Sequence, residues 1–202
     1  MKFRTKNSKL KIIGLTGGIA SGKTTILNQF KKFGIRTISC DEIAKKVFYE
    51  ASVSKKIEKL FGILNRKKIA EIIFSDTKKR RQLEKILHPE IIKDLRKQLS
   101  SREVLRTIPN SQFPFVIIDI PLLFEAHLEH LFDKIIVVYC RKNEQINRLM
   151  KRSKITKTEA EKRMSSQMPL SKKIKFADFV IDNSTTFWCI KKQIKKVLDK
   201  II

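Results

Sequence analysis

Five short apolar runs punctuate this chain, separated by stretches in which apolar residues recur at helical spacing. The runs are Lys11 to Thr16, Arg36 to Cys40, Phe115 to Ile120, Lys134 to Tyr139 and Phe179 to Asp182. Their hydrophobicity is continuous rather than alternating, which predicts strands covered on both faces, as in a parallel sheet. After the first run, Ile26, Leu27, Phe30 and Phe33 fall on one helical face. The pattern predicts an α/β fold with a five-stranded parallel sheet. The ligand site of such a sheet lies at the carboxyl ends of its strands, where Asp41, Asp119, Arg141 and Asp182 all stand.

Two intervals depart from simple alternation. The second and third strands are roughly 75 residues apart, far beyond an ordinary crossover. That interval, from about residue 42 to about 110, reads as helical throughout. Ser75 or Asp76 can cap a helix carrying Leu83, Ile86 and Leu87, and Pro89 suits the first turn of another. A helical insertion beside the cleft is where a second substrate would be gripped. The other interval, about 145–168, puts Arg148 and Arg152 one turn apart, then breaks at Ser153-Lys154-Ile155. Thr156-Lys157-Thr158-Glu159 makes a capping box for the next helix. This basic hairpin reads as a lid. The core of the single domain would then be about 10–41, 113–144 and 177–202.

Between the first strand and the first helix, Gly17-Gly18-Ile19-Ala20-Ser21-Gly22-Lys23-Thr24 spells G-x-x-x-x-G-K-[ST]. A strand, a glycine-rich turn and a helix N-terminus together form a phosphate cradle, with backbone N–H groups and the helix dipole directed at the anion. Lys23 can reach the β and γ phosphates, and the Thr24 hydroxyl can coordinate Mg²⁺. The chain is thus expected to bind a nucleoside triphosphate on a three-layer P-loop NTPase fold, with residues 17–25 (through Thr25) as the binding segment. Asp41 is placed to accept a proton from an attacking hydroxyl; it also fits the N-cap of the helix that follows. Asp119, ending a strand before Pro121, resembles the acid that holds Mg²⁺ in such folds.

Charge complicates the picture. The 202 residues carry a net charge of +25, which ordinarily suggests a nucleic-acid partner. Here the excess is mostly Lys spread over every helix, and aromatic residues are not interleaved with the basic runs. No specific nucleic-acid binding is expected. Cys40, Cys140 and Cys189 are odd in number and widely spaced, so neither a zinc site nor a redox pair is implied. No apolar stretch is long enough to span a membrane. Met1–Lys9 is basic without an apolar core, unlike a signal peptide. A cytoplasmic monomer or weak homo-oligomer is the expectation.

The motifs taken in order resemble the dephospho-CoA kinase family from Ile13 to Asn183. Gly14 to Thr25 is similar to its GLTGGIGSGKS/T segment, and Cys40-Asp41-Glu42-Ile43-Ala44 to the second half of D-A-D-x-I-A. Leu83-Glu84 through His88-Pro89 matches L-E-x-x-x-H-P, and Asp119 to Glu125 matches D-x-P-L-L-F-E. Gln145 to Arg152 matches Q-x-x-R-L-x-x-R, and Ala177 to Asn183 matches A-D-x-V-I-D-N. The resemblance implies MgATP as donor and the ribose 3′-hydroxyl of dephospho-CoA as acceptor. It makes Asp41 the catalytic carboxylate and has Arg148 and Arg152 neutralise charge on the transferred group. His88, Pro89, Pro121, Leu122, Leu123 and Glu125 would shape the acceptor pocket, although His88 could instead brace helices and the leucines could be core. Asp182 and Asn183 would touch the adenine edge or close a turn. Three positions depart from the family pattern: Ala20 replaces a loop glycine, tolerable only at negative φ; Ser39 replaces the first Asp of D-A-D; and Ser153 replaces an acid after the second lid arginine.

Overall fold

The computed structural model describes residues 10–100 and 114–201, apart from the side chains of residues 74 and 75. The basic leader and the end of the insertion expected near residue 110 lie outside the described residues. Strands β1 (Lys11–Gly17), β2 (Arg36–Ser39), β3 (Phe115–Asp119), β4 (Lys134–Tyr139) and β5 (Phe179–Asp182) pair in parallel in the order β2-β3-β1-β4-β5. β2 and β3 each stop one residue short of the predicted end, because Cys40 already starts a helix and Ile120 leads into a turn. The register places Asp119 beside Leu15 on one side and Ser39 on the other. Two residues beyond Leu15, β1 ends in the glycine-rich loop, so Asp119 and that loop share the carboxyl edge of the sheet.

The chain divides into two compact units, Met1–Ser39 with Arg102–Ile202, and Cys40–Ser101. The first holds the sheet and helices α1 (Lys23–Lys32), α6 (Lys142–Ser153), α7 (Lys157–Ser165), α8 (Leu170–Lys175) and α9 (Phe187–Ile201). Ile26, Leu27 and Phe30 of α1 join Ile190, Ile194, Val197, Leu198 and Ile201 of α9 in one core with Ile13, Leu15, Ile117, Ile136 and Val138 of the sheet. Removing that apolar surface from water is the main stabilising term here. Phe33, expected on the same face, is the C-cap of α1 and 37% exposed, because the helix ends before its turn carries that position inward.

The second unit is helical: α2 (Cys40–Phe48), α3 (Ala51–Phe61), α4 (Arg66–Ser75) and α5 (Thr77–Leu99). Asn65 caps α4 by accepting from the Lys67 and Lys68 N–H groups, and Asp76 caps α5 by accepting from the Lys79 N–H. α5 then runs straight through Pro89, which is inside the helix and not at the start of a new one. Proline there removes one backbone donor. Burial of Leu83, Leu95 and Leu99 on the same helix, and its packing on α2, α3 and α4, keep it continuous. Asp94 of α5 accepts from Lys46 Nζ at 3.1 Å and Gln98 Nε2 at 2.9 Å. Burial raises its carboxyl pKa, but these hydrogen bonds and the Lys46 and Lys97 charges outweigh burial and hold it below the ordinary value.

Candidate active site

The loop between β1 and α1 is built to pass close to its neighbours. Gly22, at φ +87°, is the left-handed N-cap of α1, and a Cβ there would overlap Asn183 Nδ2. A Cβ on Gly17 would lie 2.7 Å from both Ser21 Oγ and the Val138 carbonyl, and one on Gly18 would lie 2.6 Å from Gln145 Nε2. At Gly17 a side chain would meet fixed backbone, and at Gly18 and Gly22 it would displace the amides of Gln145 and Asn183. Ser21 Oγ is buried in the loop with no hydrogen-bond partner among the described residues. α1 begins at Lys23, so the first-turn N–H groups that lack intrahelical partners open onto the loop. A narrow backbone cradle, an unpartnered hydroxyl and a positive helix end fit a polyphosphate. Ala20 corrects an expectation, since its φ is +56° and not negative. A left-handed alanine costs about 1 kcal/mol. Its packing with Ile19 against Ile146, Leu149 and Ala160 offsets part of that cost.

Side chains from later in the chain hold this loop from outside. Lys173 of α8 is fully buried, with Nζ 3.4 Å from the carbonyls of Gly17 and Pro121 and 2.8 Å from Glu125 Oε1. Gln145 Nε2 donates to the Ile19 carbonyl at 2.8 Å, and Gln167 Oε1 accepts the Ile19 N–H at 3.0 Å. Asn183 Nδ2 donates to the Ser21 carbonyl at 2.8 Å. Of these, Lys173 and Gln167 had no signal in the sequence, and Gln145 was only a letter in a motif. Arg148 Nη2 donates to Glu144 Oε2 and to the Asn183 carbonyl, both at 3.1 Å, which brings it to the loop, and Arg152, exposed like Arg148, lies one turn further on. Asp182 Oδ1 accepts the Ser184 N–H at 2.8 Å, so its carboxylate closes a turn. The Cys140 thiol faces Glu144 Oε2, and burial pushes its pKa up, against the lowering effect of Ser184 and Arg148. A cavity of about 910 Å³ opens beside the loop, lined by Gly18, Ile19, Tyr139, Lys142, Lys162 and Met168.

Asp119 is buried at the end of β3. Among the described residues no cluster of three or more His, Cys, Asp or Glu side chains could hold a metal. Thr24 and Asp119 offer one hydroxyl and one carboxylate, a donor set suited to an ion that takes its other ligands from phosphate and water. Asp41 is exposed and lies within the first turn of α2, which starts at Cys40, so it is not the helix N-cap. Half-buried His88 and exposed Pro89 share α5 of the helical unit. In the sheet unit, Pro121 accepts from Thr16 Oγ1 at 3.2 Å and Leu122 is half-buried. Leu123, expected to shape a pocket or to be core, is fully buried. Its Cδ1 occupies the space beside Gly14, where an added Cβ would lie 2.7 Å away. Glu125 is occupied by Lys173 and by the Met168 N–H at 3.0 Å.

The family model for dephospho-CoA kinase (CoaE) matches residues 11–188. The chain belongs to the dephospho-CoA kinase family. It is 42% identical over 197 residues to a dephospho-CoA kinase of Bacillus licheniformis, covering 93% of this chain and 95% of that one. Among solved structures, a Thermus thermophilus protein superposes with a TM-score of 0.79 at 29% identity, over 95% of this chain and 98% of the other. A dephospho-CoA kinase from Campylobacter jejuni gives 0.66 at 30% identity, over 95% and 97%. The five-stranded parallel sheet with its flanking helices is therefore a P-loop kinase fold. Among the described residues no helix is long and apolar enough to cross a membrane.

Proposed function

We propose that this member of the dephospho-CoA kinase family transfers the γ-phosphoryl group of ATP to the ribose 3′-hydroxyl of dephospho-CoA, giving coenzyme A and ADP. The observation that carries the reading is the glycine-tight loop between β1 and α1, with Lys23 and Thr24 opening the helix. The loop backbone from Gly17 to Thr25 and the Lys23 ammonium bind the β and γ phosphates. Asp41 accepts the proton of the 3′-hydroxyl as its oxygen bonds to the γ-phosphorus and the bond to the β-bridging oxygen breaks. Arg148, already at the loop through Asn183, and Arg152 neutralise charge on the phosphoryl group as it passes. Thr24 and Asp119 would hold Mg²⁺, which when bound spreads the phosphate charge.

His88, Pro89, Pro121 and Leu122 supply the acceptor pocket, with residues 42–110 as the acceptor-binding insertion and 145–168 as the lid. Asp182 and Asn183 serve the adenine edge of the nucleotide from beside the loop, which Asn183 also supports. The reaction belongs in the cytoplasm, where free cysteines persist, and needs neither membrane nor nucleic acid.

A coupled assay of ATP consumption with and without dephospho-CoA tests this, with Lys23→Ala run beside the wild type. Wild-type consumption should depend on dephospho-CoA. Lys23→Ala should abolish it at an unchanged thermal midpoint, since Lys23 opens α1 beside the loop and is not part of the buried core. Consumption indifferent to dephospho-CoA would remove the acceptor, and an active Lys23→Ala would remove the loop assignment.

A further inference from the structure

Three carbonyls at alternate positions in the phosphate loop are each held from outside by a side chain that follows β4. Gly17 accepts from Lys173 at 3.4 Å, Ile19 from Gln145 at 2.8 Å and Ser21 from Asn183 at 2.8 Å. All three donor residues are buried, Lys173 at 0%, Gln145 at 3% and Asn183 at 7% exposure. Buried donors of this kind are fixed, because losing the bond leaves a polar group unsatisfied. In a trans peptide the C=O and the following N–H point to opposite sides. Drawing the carbonyls of Ile19 and Ser21 outward therefore turns the N–H groups of Ala20 and Gly22 to the inner side of the loop.

We propose that Gln145 and Lys173, together with Asn183, are positioning residues that hold the loop in its anion-binding shape before the nucleotide arrives. This rests on the reading of the loop as the nucleotide site. Lys173 acts through the placement of its bonds and not as a free positive charge, since Glu125 pairs with it at 2.8 Å. The arrangement also ties the lid to the loop. Gln145 lies in α6 and Gln167 just beyond α7, so the two ends of the hairpin grip the C=O and N–H of one loop residue, Ile19. Between them, Ile19 and Ala20 pack against Ile146, Leu149 and Ala160 of the hairpin. The base of the lid is thereby fixed to the phosphate loop, and closure has to occur beyond it, toward Arg152 and the α6–α7 turn.

The experiment measures ADP affinity by titration calorimetry, the thermal midpoint, and the KM for ATP and for dephospho-CoA on the full chain. The variants are Gln145→Met, which keeps length and removes the donor, and Lys173→Met with Glu125→Gln, which avoids a buried unpaired carboxylate. Each should weaken ADP roughly tenfold, about 1.4 kcal/mol, and raise the KM for ATP, while for Gln145→Met the KM for dephospho-CoA stays within about twofold. Lys173→Arg, which keeps donors in place, should recover most of the affinity. A lowered midpoint with ADP affinity and both KM values near wild type would make these residues purely structural and overturn the proposal. If the Lys173 double variant fails to fold, Gln145→Met decides alone. A wild-type chain that does not bind ADP would overturn the nucleotide reading and this proposal together. Wild-type binding with unchanged variants would overturn only this one.

Discussion

Ala20 holds φ +56°, a left-handed conformation that strains any side chain, and the conflict is a local energy balance. Ala20→Gly removes a left-handed penalty of about 1 kcal/mol. It gives part of that back as unfolded-chain entropy and as the lost methyl contact with the lid cluster. Ala20→Gly should therefore raise stability by about 0.5 kcal/mol and the thermal midpoint by roughly 1–2 °C for a chain of this size. A lower midpoint would show that methyl packing outweighs strain. Asp41 has the opposite balance. It is exposed in the first turn of α2, where a carboxylate contributes at most about 1 kcal/mol through the helix dipole. Asp41→Asn should lower kcat by about tenfold to ten-thousandfold with little change in the KM for ATP. A loss confined to stability would leave Asp41 a helix-start residue only.

The hairpin of α6 and α7 is largely written in its residue pattern. Its second helix, α7, carries the expected capping box, with the Thr156 side chain accepting the Glu159 N–H and Glu159 accepting the Thr156 N–H. Those bonds from Thr156 hold the exposed Glu159 carboxyl below its ordinary pKa. The break at Lys154, φ +52°, is also where the residue pattern put it. Both arginines are exposed, but they are not equivalent, because Arg148 is drawn to Asn183 and Glu144. Arg148→Lys should lower kcat/KM by roughly tenfold or more, about 1.4 kcal/mol, since Lys lacks the planar paired donors. Arg152→Lys should act only through the closed state, and Lys151→Ala should stay near wild type. Equal, small effects in all three would reduce the arginines to general basic surface.

Strand runs, the loop and the capping box were legible because each is written in local residue order. Pro89 was misread because packing of α5 overrides a local breaker. Lys173 was invisible because one lysine among 45 basic residues carries no mark of its burial.

At the scale of the whole molecule, the net charge of +25 has two physical outlets. A basic surface raises the local concentration of polyanionic substrates and speeds their capture, an effect that salt screens. The same surface can bind nucleic acid through counterion release, with affinity falling steeply as salt rises. The two differ in what they do to turnover. If the charge serves substrate capture, kcat/KM for ATP should fall several-fold between about 0.05 and 0.5 M salt while kcat changes little, because the groups that act on the phosphoryl group are local and screened less. A labelled random oligonucleotide followed by anisotropy should bind only at low salt and be released near 0.15 M, with ATP consumption unchanged by its presence. Tight oligonucleotide binding at 0.15 M, together with ATP consumption that nucleic acid stimulates without dephospho-CoA, would overturn the small-molecule reading. The lysines are distributed over every helix and not gathered into one stripe. That spread favours a diffuse field over a footprint, and a diffuse field moves the capture rate and not the chemical step.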